Sequence, residues 1–126
     1  MTENCVRHHR GKAAFHAGIA AEKSIAQDYE RRGFAIARTR WRGKSGEIDL
    51  VVRDGAALIF VEVKQSRNFA RAAASLSASQ MQRIYASAEE YLGQEPNGSL
   101  TEVRFDVALV DGSGATQIIE NAFGHG

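Results

Sequence analysis

Two short runs carry the chemistry of this chain: Gly46-Glu47-Ile48-Asp49-Leu50 and Phe60-Val61-Glu62-Val63-Lys64. They set acidic residues and a lysine among apolar neighbours, where charge is costly. Read as strands, both alternate: Ile48, Leu50 and Val52 point one way with Ile59, Val61 and Val63, while Glu47, Asp49, Glu62 and Lys64 point the other. Asp54-Gly55 is a two-residue hairpin signal; a turn there pairs Arg53 with Ala56, Asp49 with Phe60 and Glu47 with Glu62. Directly opposed positions would lie ~5 Å apart and diagonal ones ~7–8 Å. Three carboxylates that close repel one another unless a proton or a cation sits among them. Mg²⁺ or Mn²⁺ answers that need, because a hard divalent ion takes oxygen ligands and keeps waters for chemistry. The bland alternative is an edge hairpin with a solvated charged face. It explains single charges well, but less well four charges on one face opposite a uniformly apolar one.

Asp followed one hairpin later by Glu-x-Lys is the PD-(D/E)xK nuclease pattern in relaxed form, with Ile48 where that name has proline. In that chemistry Asp49 and Glu62 bind the metal and the Val63 carbonyl adds a ligand. Lys64 orients or deprotonates the attacking water and stabilises charge on the phosphate. Upstream, Arg38, Arg40, Arg42 and Lys44 surround Trp41, and strand alternation aligns the three arginines on one side. Such a row suits phosphates beside a metal site. Trp41 is expected in the core or at a strand end, with base stacking as the alternative.

The elements that must position these residues follow from periodicity. Residues 13–32 read as a helix with Ala14, Ala17, Ala21, Ile25 and Tyr29 on one stripe, Glu22 at its edge and Gly33 as the stop. Strands are expected at 34–41, 46–53 and 57–65, and a mobile loop carrying Arg67 at 66–74. A second helix, capped by Ser75 or Ser77, runs to about residue 92 with Met81, Ile84, Ala88, Tyr91 and Leu92 inward. A loop at 93–100 leads to a strand at 101–110, with Val103, Phe105, Val107 and Leu109 inward and Arg104–Asp106 as a surface pair; a last strand lies near 115–120. The order predicts an α/β domain over 13–126 with a mixed central sheet, after a flexible basic arm at 1–12.

Composition sets the limits. At 126 residues and 44% hydrophobic the chain is sized for one soluble domain. No apolar run approaches a membrane span, the first residues are polar and basic, and the lone Cys5 permits no internal disulfide, so a cytoplasmic protein is expected. Charge is uneven: residues 1–44 carry a net +6 and residues 45–126 a net −5. That asymmetry suits a polyanion-facing surface beside an acidic site, although taken alone it is better accounted for by ordinary surface charge.

Further residues extend the pattern. Gly18, Glu22, Tyr29 and Gly33, Trp41-Arg42, the two runs above with Gln65-Ser66-Arg67, and Arg83-Ile84, Ala88 and Tyr91-Leu92 resemble the bacterial YraN-type family. Arg104-Phe105-Asp106-Val107 and Ile119-Glu120-Asn121-Ala122-Phe123 fit it too, so the likeness spans about residues 15–123. That family resembles archaeal Holliday-junction resolvases and other restriction-endonuclease-like nucleases. The resemblance implies that fold and a metal-dependent endonuclease acting on nucleic acid, DNA first among the choices and branched DNA among its forms. By the same resemblance Glu22 is the acidic residue of the first helix, Asp49 and Glu62 are the metal carboxylates, with Glu47 near them, and Lys64 is the lysine. Related nucleases often add a helical glutamine or lysine; here the usual Lys-Gln pair reads Gln80-Met81, one place displaced, with Gln82 a weaker substitute. A homodimer is expected where two strands are to be cut. The alternatives are a non-catalytic nucleic-acid-binding accessory protein that retains the fold, and a protein-interaction scaffold.

Overall fold

A computed structural model describes residues 18–122. The basic arm expected at 1–12, and Ala14 and Ala17 of the first helical stripe, lie outside the described residues. Helix α1 covers residues 18–31 and buries Ala21, Ile25 and Tyr29, spaced four apart on one face. Gly33 ends it with a φ of +97°, a left-handed conformation that glycine adopts at little cost.

Three antiparallel strands follow, β1 (Ala35–Arg42), β2 (Glu47–Asp54) and β3 (Ala57–Gln65). The tight turn sits one residue later than the Asp54-Gly55 signal suggests. Asp54 pairs with Ala57, and the two-residue loop is Gly55-Ala56, with Gly55 at φ +61°. Glycine at the first loop position is what a type II′ turn requires, and its twist matches the flanking strands. The ladder then runs Arg53↔Leu58, Val52↔Ile59, Val51↔Phe60 and Leu50↔Val61. Phe60 is thus opposite Val51 and not Asp49, and the paired ladder stops short of Glu47, Asp49, Glu62 and Lys64.

The expected loop at 66–74 instead contains a short helix, α2 (Phe69–Ala74), capped by Asn68, whose side chain accepts the Arg71 N–H at 2.9 Å. Four of its six residues are alanine, the strongest helix former, and burying Ala72 against Val107 and Leu109 holds it. Helix α3 (Ala78–Leu92) starts at Ser77 with a reciprocal capping box: the Ser77 hydroxyl accepts the Gln80 N–H, and the Gln80 side chain accepts the Ser77 N–H. A 3₁₀ turn (Gly98–Leu100) precedes β4 (Val103–Val110), which runs parallel to β3, and β5 (Thr116–Ile119) closes the mixed five-stranded sheet in the order β1-β2-β3-β4-β5.

Helices cover both faces of the sheet, as in a restriction-endonuclease-like α/β fold. On one side α1 packs on Leu50, Val52, Ile59, Val61, Ala108 and Val110. On the other, Ile84, Ala88 and Tyr91 of α3 pack on Ile48, Val51, Leu58, Phe60 and Phe105. The central strands are therefore apolar on both faces, and the hairpin does not divide into one charged and one apolar side. Trp41 belongs to the α3 side, edge-on to Tyr91 with ring centroids 5.3 Å apart. Asp106, expected on the surface, is fully buried. It accepts hydrogen bonds from Tyr29 Oη (2.7 Å), Arg104 Nε and Nη2 (both 2.9 Å) and the Asn121 N–H (2.9 Å). A carboxylate with that many donors is tolerated inside the core.

Candidate active site

Strict alternation breaks at Asp49. Ile48 packs toward α3, yet Leu50, two residues on, packs toward α1. On the neighbouring strand Arg40, between the pairs Thr39↔Leu50 and Trp41↔Ile48, takes a φ of +52°, unusual for a side-chain-bearing residue. Pairing of β2 with β3 is described only as far as Leu50↔Val61. Beyond it the Asp49 carboxylate takes the place of a backbone acceptor: Val63 N–H donates to Asp49 Oδ2 at 2.8 Å. The strands part here, and the Asp49 side chain spans the parting.

Asp49 is flanked by an acid from each side of the sheet. Glu22 comes from α1, Glu62 from β3, and both interact with Asp49 through charge and side-chain hydrogen bonding. Burial, followed by the Asp49 charge, raises Glu62 from 4.5 to about 8. The same two causes raise Glu22 to about 7, Glu47 adding to the push. Lys64 Nζ lies 3.5 Å from Glu62 Oε2, and Arg40 Nε lies 3.5 Å from Glu22 Oε1. These cations act against the rise without cancelling it. Side chains of Glu22, Glu62 and Lys64 are each about 15% exposed, so the group is desolvated but reachable.

Among the described residues no three His, Cys, Asp or Glu side chains form a ready-made metal cage. The donor set nevertheless suits Mg²⁺ or Mn²⁺. Such an ion is ordinarily held by one or two carboxylates plus waters and substrate phosphate, and Asp49 with Glu62 supplies two acidic side chains whose repulsion a cation relieves. Glu22 and Glu47 stand beside that pair.

The predicted auxiliary and basic residues fall in different places. Gln80 reaches the site from α3. With Gly46, Glu47, Glu62, Arg83 and Ile84 it lines a cavity of about 190 Å³, while its Oε1 is occupied as the Ser77 cap at 3.0 Å. The arginine row of β1 is not a uniform track. Arg38, Arg40 and Arg42 are all exposed, but Arg40 turns to Glu22, Arg42 Nη2 lies 3.8 Å from Glu47 Oε2, and a register shift separates Ile36 from Arg38. Lys44 lies in the β1–β2 connection, where its N–H and that of Ser45 donate to the two oxygens of Glu90 at 2.9 and 3.0 Å. Arg67 is exposed at the end of β3, its carbonyl accepting the Gly112 N–H at 3.1 Å.

Two contributors stand out only in three dimensions: Arg83, on the cavity wall, and Glu90, which clamps the connection leading into Glu47. The clamp is close-fitting, for a Cβ at Gly43 would lie 2.5 Å from Trp41 and 2.6 Å from Glu90 Oε2. A signal for both exists in helical spacing, since Gln80, Arg83, Ser87 and Glu90 recur at three- and four-residue intervals beside the apolar stripe.

A family model described as uncharacterised protein family UPF0102 matches residues 21–110, which contain every residue of this site. The chain is 62% identical over 117 residues to a UPF0102 protein of Ruegeria pomeroyi, covering 93% of this chain and 95% of that one. It is 51% identical over 126 residues to one from Roseobacter denitrificans, covering 100% and 98%. A Cereibacter sphaeroides relative is 57% identical over 113 residues, covering 90% and 97%.

Proposed function

The chain belongs to the UPF0102 family, and from the acidic group at the parting of β2 and β3 we propose that it is a metal-dependent endonuclease that hydrolyses phosphodiester bonds in nucleic acid, DNA in the first place. The observation that carries this is the crowding of Glu22 and Glu62 around Asp49, with Lys64 alongside: after burial, repulsion from Asp49 raises both flanking acids, to about 7 and 8, and a cation among them would relieve that repulsion. A bound Mg²⁺ or Mn²⁺ would supply Lewis acidity, lowering the pKa of a water and neutralising charge on the phosphate. Asp49 and Glu62 hold that ion in this proposal. Asp49, pinned by the Val63 N–H, is the fixed member. Lys64 lies close enough to Glu62 to orient the attacking water and to meet negative charge growing on the phosphate. Glu22 and Glu47 tune the charge of the group. The exposed Arg38 and Arg42, with Lys44 and Arg67, offer further phosphate contacts.

The test has two parts. Calorimetry should record Mn²⁺ binding near or below millimolar, lost in Asp49→Asn and in Glu62→Gln. Purified protein with Mn²⁺ should cut at least one of flap, junction, single-stranded or duplex DNA, and Lys64→Ala should lower that rate on the order of a hundredfold. Failure to cut any of them, while a control nuclease does, sinks the catalytic proposal. A non-catalytic nucleic-acid-binding protein is the second proposal, favoured by the Gln80 carbonyl being taken up in a helix cap and by the absence of a preassembled cage among the described residues. Salt-dependent DNA binding without cleavage would select it.

A further inference from the structure

The cavity on the α3 side of the acidic group has two chemically different walls. One carries Glu47 and Glu62; the other carries Gln80 and Arg83 from the first turns of α3. The carboxylates of the first wall already have cations elsewhere, Arg42 for Glu47 and Lys64 for Glu62. Arg83 is exposed and, among the described residues, has no ion-pair partner. Gln80 uses its Oε1 to accept the Ser77 N–H, which leaves its Nε2 hydrogens as the free end of the amide. The second wall therefore presents donors only: a guanidinium fork and an amide NH₂.

An acidic wall facing a donor wall across about 190 Å³ suits a ligand that is a cation on one side and an oxyanion on the other. Guanidinium forks match the paired non-bridging oxygens of a phosphodiester. We propose that Arg83, with the Gln80 amide beside it, holds a non-bridging phosphate oxygen of a nucleic-acid strand lying across the α3 side of the carboxylates. This rests on the nucleic-acid proposal above and adds to it the side from which the strand enters and the residue that grips it. Arg83 then shares the cavity with Glu62, and its task is to position the strand.

The test is a fluorescence-anisotropy titration of the full chain with a labelled branched DNA in Ca²⁺, repeated over a range of salt. Arg83→Ala should weaken binding roughly tenfold and reduce the slope of log affinity against log salt by about one. Arg83→Lys, which keeps the charge, should keep the slope. Arg31→Ala, which removes another exposed charge, from α1 and outside the cavity lining, should change neither. A wild type that binds with Arg83→Ala retaining the wild-type slope overturns the assignment of Arg83 and leaves nucleic-acid binding standing. Equal losses in Arg31→Ala and Arg83→Ala also overturn it, since general charge would then account for the effect. A wild type that binds no DNA overturns both this proposal and the one it rests on.

Discussion

At the scale of single residues, the consequential fact is that two glutamates stay protonated at pH values where glutamate is ordinarily charged. Glu22 is raised to about 7 and Glu62 to about 8, from 4.5, by burial and then by Asp49. The folded chain therefore holds protons that the unfolded chain has released between pH 4.5 and 8. Stability must fall as pH rises through that window, because the unfolded state binds fewer protons there. Thermal melts of metal-free protein from pH 5 to 9 should show this decline. Glu62→Gln should flatten it and stabilise the metal-free protein at pH 9 by on the order of 2 kcal/mol. Melts of the variant that track the wild type across the range would show that Glu62 does not carry the strain. Mn²⁺ affinity should move the opposite way, rising with pH up to about 8 as the ion displaces protons and levelling above it.

Elements act here by holding ends together. The β1–β2 connection is fastened to α3 by Glu90, and Gly43 lets the chain pass beneath Trp41 and that carboxylate. Because a Cβ would sit 2.5 Å from Trp41 and 2.6 Å from Glu90 Oε2, Gly43→Ala must displace one or the other. It should cost about 1–3 kcal/mol in denaturant unfolding. Hydrogen exchange at the Lys44 and Ser45 amides should accelerate in the same variant, as it should in Glu90→Ala. Unchanged exchange would mean that Glu90 does not hold the connection. Helix α3 has its own fastening at the other end, where Gln80 serves at once as cap and as cavity wall.

Across the whole molecule, the buried Asp106 joins parts remote in sequence. Tyr29 from α1, Arg104 from its own strand and the Asn121 backbone beyond β5 all donate to it. Tyr29 loses its proton less readily than usual, through burial and its bond to Asp106. The cluster docks α1 on the sheet and so helps to place Glu22, two helical turns away, over Asp49. Tyr29→Phe should cost about 1–3 kcal/mol, a hydrogen bond to a charged group, and Asp106→Ala about 3–5 kcal/mol, since it removes the shared acceptor of Tyr29, Arg104 and the Asn121 N–H. Urea melts measure both. Tyr29→Phe should leave Mn²⁺ affinity unaltered, because the proposed holders Asp49 and Glu62 lie on β2 and β3 and not on α1, and a parallel loss of affinity would show that Glu22 is itself a ligand. No helix among the described residues is long and apolar enough to cross a membrane.

Local pattern in the sequence determined the elements and the family. Periodicity marked the end of α1, and α3 and the strands, to within a residue or two, because each must bury a stripe or alternate faces whatever its neighbours do. The runs around Asp49 and Glu62 showed where charge enters the sheet. Only tertiary structure decided the rest. A turn displaced by one residue altered every pair in the hairpin and set Phe60 opposite Val51 instead of Asp49, since register depends on which loop closes with least strain. Strict alternation expected the acids on one face; the phase break at Asp49 and the left-handed Arg40 instead place them between two helices. The Arg104–Asp106 pair was legible, but not its burial, because the partners that make burial tolerable, Tyr29 and Asn121, are distant in the chain. The spacing of Arg83 and Glu90 beside the apolar stripe was legible, but not their role, which comes from what α3 faces once packed, a property of the assembled core and not of the helix.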